Sequence, residues 1–139
     1  MESMKLFPIR LTPGQDLRAA LEVAVQRQNC RAAFVLSGIG SLSTAGIRLA
    51  GADQATRLTG SMEILTLSGT VAVAEGGTSS HMHMAVSTAT GEVLGGHVAP
   101  GCTVLTTADV LLALLPDWQF SREPDMGTGY DELVVQKRT

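Results

Sequence analysis

Between Met62 and Thr88 the chain alternates along almost its whole length, and this pattern does most to limit what it can fold into. Glu63, Leu65, Leu67, Gly69, Val71 and Val73 fall at every second position, with Ile64, Thr66, Ser68 and Thr70 between them. A period of two sends successive side chains to opposite faces of a strand, whereas a helix would need a period of 3.6. Gly76-Gly77 then offers a turn, and His81 to Thr88 continues as a second strand with Met82, Met84 and Val86 on its apolar face.

The flanking sequence adds one helix and more strands. Lys5 to Leu11 reads as a first strand, with Pro8 suited to a sheet edge because it has no N–H to donate. Thr12-Pro13-Gly14-Gln15 resembles a capping box, with Thr12 as N-cap and Pro13 in the first helical position. Leu17, Ala20, Leu21, Ala24 and Val25 then follow the spacing of a one-faced helix ending near Asn29. Ala33 to Ser37 is a short apolar strand running into Gly38-Ile39-Gly40-Ser41. Gly91 turns the chain toward Val93-Leu94, and Trp118 to Ser121 and Glu132 to Gln136 read as closing strands. Thr103 to Leu115 stays open between strand and helix. No linker or repeat divides the 139 residues, so one domain is expected over 1–139, with its core from about 5 to 136. The expected class is α+β: a mixed, largely antiparallel sheet with one main amphipathic helix near the N-terminus.

Composition limits the partners. Aromatic residues are only 4%, so the core must be built from aliphatic side chains and Met. The net charge of −3 supplies no basic field for nucleic acid or an anionic membrane. Cys30 and Cys102 form no C-x-x-C pair and read as small reduced hydrophobes. Met1 to Lys5 holds no apolar leader, and no later apolar run is long enough to span a bilayer, so a cytoplasmic protein is expected.

The chemistry gathers around the three histidines. His81 and His83 stand at i and i+2, on one face of a strand, and His97 follows Gly95-Gly96, which allows close backbone approach. Imidazole is the commonest protein ligand for transition metals, and three neutral imidazoles leave positions open on zinc. The plain alternative is a set of hydrogen-bonded, metal-free pocket residues. A cupin barrel also carries His-x-His, but its glutamate ligand follows closely; here the first glutamate after His83 is Glu92, beyond a turn. Glu63 is expected to face inward with Leu65, where a carboxylate needs a partner such as a metal, a histidine or Arg122. It is the candidate catalytic base or imidazole-orienting group, and a structural ion pair is its plain reading. Gly38-x-Gly40-x-x-Ser43 lacks the third glycine of a dinucleotide fingerprint and reads as close backbone packing. No Gly-x-Ser-x-Gly elbow supports a serine nucleophile. Asp125-Met126-Gly127-Thr128-Gly129 reads as a tight loop with Asp125 capping its own turn, and Thr128 and Arg122 are candidate pocket residues.

Taken in order, these segments resemble one known family. Leu36-Ser37-Gly38-Ile39-Gly40-Ser41-Leu42-Ser43, Met62 to Thr70, His81-Met82-His83, Gly91 and Gly95-Gly96-His97 look like the PPC domain shared by plants and prokaryotes. The tail from Arg122 to Leu133 matches that family's ending. The resemblance implies an α+β domain that assembles as a homotrimer, with a metal ion, zinc-like, at His81, His83 and His97. Plant relatives join the domain to AT-hook peptides, from which prokaryotic members carry a DNA-binding label. This chain has no Arg-Gly-Arg-Pro peptide and no Lys/Arg cluster. The leading expectation is a trimeric metal-binding domain with small-molecule binding or metal-assisted chemistry. A DNA-associated regulator and a purely structural trimer are the alternatives. The residues name no reaction.

Overall fold

The computed structural model describes residues 4–139; Met1 to Ser3, the first part of the stretch read above as lacking a leader, lie outside them. The described chain runs β1 (Lys5–Leu11), α1 (Leu17–Gln26), β2 (Ala32–Arg48), β3 (Thr56–Ala74), β4 (Gly77–Thr88), β5 (Val93–Val98), β6 (Thr103–Leu114), β7 (Trp118–Pro124) and β8 (Asp131–Lys137). Strands β1-β6-β2-β3-β4-β5 form a six-stranded sheet in that order, and β7 and β8 form a separate hairpin. Every pairing is antiparallel. The end of β2 also meets β5, through Ile47 with Val98 and Arg48 with His97, so β2 to β5 close on themselves. Among the described residues no helix is long and apolar enough to cross a membrane.

This overturns the α+β class. Strand accounts for 65% of the chain and helix for 7%, so the fold is β-rich with one short helix, and the sheet is not mixed. The ambiguous Thr103–Leu114 segment is strand β6, packed between β1 and β2 and burying Val104, Ala108, Val110 and Leu112 at alternate positions. Pairing on both sides satisfies its backbone there, which outweighs the local helical preference of its Ala and Leu residues. β2 and β3 also run to 17 and 19 residues, well past the short strands that local pattern marks.

Helix α1 begins later than expected. Asp16, not Thr12, is its N-cap, accepting from the Ala19 backbone N–H at 3.0 Å. The Thr12–Gln15 pair does form, with the Thr12 N–H donating to Gln15 Oε1 at 2.8 Å, but it closes a turn before the helix. Leu17, Leu21 and Val25 are buried against β3, β4 and β6. They join one aliphatic core with Ile64, Leu67 and Val71 of β3 and Met82, Met84 and Val86 of β4. Each such side chain contributes on the order of 1.5–3 kcal/mol through removal from water. A second, smaller cluster lies on the sheet's other face, since Ala32 and Ala72 are neighbours of the core residues Ala33 and Val71. There β7 inserts Phe120, whose ring meets Phe34 edge-on at 5.8 Å. The β7–β8 hairpin therefore sits on the face opposite α1.

Candidate metal centre

Strand β4 aims its histidines because its other face is committed to the core. Met82, Met84 and Val86 are buried, which sends His81 and His83 to the face that carries the β7–β8 hairpin. Strand β5 pairs His97 directly with His83 and, through β2, with Arg48. Directly opposed residues share a face, so Arg48, His97 and His83 form one row across three strands. Gly96 makes this closure possible. A Cβ there would lie 2.6 Å from the Arg48 carbonyl oxygen and 3.0 Å from Ile47 Cγ2. The close backbone approach read from Gly95-Gly96 is thus that of β5 onto β2.

His83 Nε2 lies 3.2 Å from His81 Nε2 and 3.2 Å from His97 Nδ1. The three ligand nitrogens all fall within 4.8 Å of one another, with His97 partly buried and His83 exposed. A tetrahedral cation with metal–nitrogen bonds of about 2.0–2.1 Å would hold its ligand nitrogens about 3.3 Å apart, so this donor set fits one. Two of the imidazoles, His81 and His97, are biased toward the neutral form that binds metal. Burial lowers the pKa of His81, and the nearby charges of Arg122, His83 and His97 lower it further, against a smaller opposing effect of Glu132. Burial likewise lowers that of His97, helped by Arg48 and His83.

The cluster opens on a cavity of about 980 Å³ whose lining includes Arg18, Arg48, Ser80, His81, His97 and Arg122. Arg122, named from the sequence, therefore belongs here, though not as a partner of Glu63. Its Nη1 donates to the Asp131 carbonyl oxygen at 3.3 Å and lies 3.9 Å from Glu132 Oε1. Thr128 does not line the cavity. It sits exposed in the β7–β8 loop, where its N–H and that of Gly127 donate to Asp125 Oδ1, forming the Asp-capped turn expected there. Glu63 is elsewhere too. Met62 and Ile64 face the core, and a bulge between Ile64 and Thr66 restores inward packing at Leu67, so Glu63 and Leu65 point outward. The inward-facing carboxylate expected from the alternation is thus an exposed one. Glu63 pairs with Ser87, four residues from His83 and so about 13 Å along β4. Arg48 was not singled out, because its place beside His97 depends on a pairing between residues 49 positions apart, which local pattern does not show.

An antiparallel β domain with an open three-histidine cluster beside a cavity is the class these features define. The model of the Plants and Prokaryotes Conserved (PCC) domain matches residues 1–116, and the chain belongs to this family. It is 46% identical over 134 residues, 96% of its length, to a protein named bifunctional protein GlmU from a Synechococcus strain, and it spans only 21% of that relative. Among solved structures it resembles a hypothetical protein from Salmonella, with a TM-score of 0.92 and 39% identity, covering 100% of this chain and 98% of that one. It also resembles a metal-containing protein from Archaeoglobus fulgidus, with a TM-score of 0.76, 27% identity and coverage of 94% and 93%. A candidate DNA-binding protein from Ralstonia eutropha shares the fold with a TM-score of 0.77, 26% identity and coverage of 93% and 90%.

Proposed function

We propose that this chain is a homotrimeric, cytoplasmic domain that binds one divalent metal ion, zinc-like, through His81, His83 and His97. The observation that carries this reading is the convergence of three imidazole nitrogens within 4.8 Å on one strand face. The metal-containing relative from Archaeoglobus fulgidus supports it. A bound divalent cation would supply Lewis-acid polarisation of a further ligand. The chain's own part is to fix the rings: β4 carries two, β5 presents the third, and Gly96 brings β5 close enough to do so.

Apolar surface supports the association of copies, and the number three is what the family resemblance implies. Leu36 and Ile39 of β2, Leu65 of β3 and Leu105 of β6 are 47%, 58%, 46% and 39% exposed on adjoining strands. A grouping of large aliphatics facing water marks an association surface. Glu63 lies two residues from Leu65, so its role belongs with that surface rather than with the histidines. Two free, buried cysteines fit a reducing compartment.

The test is the metal content of tag-free protein, followed by zinc titration of the stripped form. One equivalent per chain supports the reading, and no metal with no uptake overturns it. Sedimentation equilibrium reads the assembly in the same samples. The second reading, DNA association, is favoured by the fold shared with the Ralstonia protein. Against it stands a net charge of −3. Phosphate contacts would give affinity that falls steeply with salt, so titration of duplex DNA at low and moderate salt separates the two readings.

A further inference from the structure

The charges around the histidines carry an inference about what the cavity holds. Three neutral imidazoles bring no negative charge to a divalent cation, and two arginines adjoin them. Arg48 lies directly across the β2–β5 pairing from His97, and Arg122 lines the cavity beside His81. Guanidinium groups are always charged and would repel a cation unless an anion lies between them.

Their donors are largely uncommitted. Arg18, the third arginine of the cavity, is engaged: its Nε lies 3.2 Å from Glu22 Oε2 and 3.1 Å from Ser80 Oγ, and its other nitrogens reach the Val98 and Ser80 carbonyl oxygens. Arg48 forms no ion pair among the described residues, and its Nη1 donates to the Ala52 carbonyl oxygen at 3.2 Å. Arg122 donates to one carbonyl, and its nearest carboxylate oxygen is 3.9 Å away, beyond hydrogen-bond reach. The cavity also holds Asp53, Asp131 and Glu132. Asp53 and Asp131 are exposed to solvent, which screens them. Glu132 makes only a long ion pair with Arg122, and the Arg48 and Arg122 side chains are both partly buried, Arg122 with 19% of its side chain exposed.

We propose that the cavity takes a small oxyanion ligand, a carboxylate or a phosphate ester, held between Arg48 and Arg122 with its charged end toward the histidine cluster. A planar fork of N–H donors on each side matches either group and gives charge-assisted hydrogen bonds. The cavity, at about 980 Å³, leaves room for the rest of a metabolite-sized molecule. This inference rests on the metal reading, and the experiment separates the two.

Stripped protein is first loaded with Co²⁺ in an anion-poor buffer and dialysed, and its metal content is measured. Inorganic phosphate and acetate are then titrated separately while the visible cobalt spectrum is followed. A saturable change with either anion is expected. In Arg48→Gln or Arg122→Gln it should need about 10-fold or more higher anion, with cobalt content unchanged. Arg48→Lys and Arg122→Lys, which keep the charge and lose the fork, should fall between. A stronger response to phosphate assigns a phosphate ester; a stronger response to acetate assigns a carboxylate. Cobalt uptake without a response to either anion, or a response unchanged in both glutamine variants, overturns the oxyanion site and leaves the metal site standing. No cobalt uptake overturns both.

Discussion

The two faces of strand β4 share one backbone and differ in what holds their side chains. Met82, Met84 and Val86 are buried in the aliphatic core, where packing alone fixes them. His81 and His83 face the other way and draw their positions from long-range pairings, with His97 on β5 and, through it, Arg48 on β2. The inner face therefore sets whether the strand forms, and the outer face sets what it can bind. Stability and chemistry should separate cleanly when each face is altered.

The sharpest attempt to break that separation is Met84→Ala. A methionine truncated in a well-packed core should cost about 2–5 kcal/mol of folding stability by urea unfolding. The fraction that remains folded should still take up one metal ion per chain. His83→Ala should do the reverse. It removes the nitrogen adjacent to both others, so metal affinity should fall about 100-fold or more in a competition titration. Metal-free stability should change by no more than about 0.5 kcal/mol, as at other exposed positions. A large loss of stability in the metal-free variant would mean that the outer face also holds the fold.

Gly96→Ala tests the link between the faces. The added methyl would press on the Arg48 carbonyl oxygen where β5 meets β2. Overpacking of this kind costs about 1–3 kcal/mol, and here it should weaken metal uptake as well, since His97 moves with β5. The smallest effect is that of pH. His81 and His97 have pKa values lowered below 6.5 in the folded chain, chiefly by burial. As pH falls through 6.5 the unfolded chain takes up protons before the folded one does, so metal-free stability should decline. Thermal melts from pH 7.5 to 5.5 read this directly. The decline should vanish in the His81→Ala, His97→Ala double variant.

Some of this was legible in the order of residues. β1 was expected over Lys5 to Leu11 and is found there, with Pro8 on the sheet's edge strand. The β3–β4 turn, found at Glu75-Gly76 one residue before the expected Gly76-Gly77, and the inner and outer faces of β4 also follow from local pattern. The errors lie where distant contacts outweighed it. The bulge after Ile64 reversed the expected facing of Glu63, and pairing with both β1 and β2 made Thr103–Leu114 a strand.

By itself the sequence determined the periodicity of its elements and the side of β4 on which His81 and His83 stand. A period of two is a local property, and burial of the methionines settles which face turns outward. The tertiary structure alone decided that His97 and Arg48 would meet that face, that Arg122 would line the adjoining cavity, and that Glu63 would not. Those neighbours are set by sheet closure and register, which depend on residues far apart in the chain.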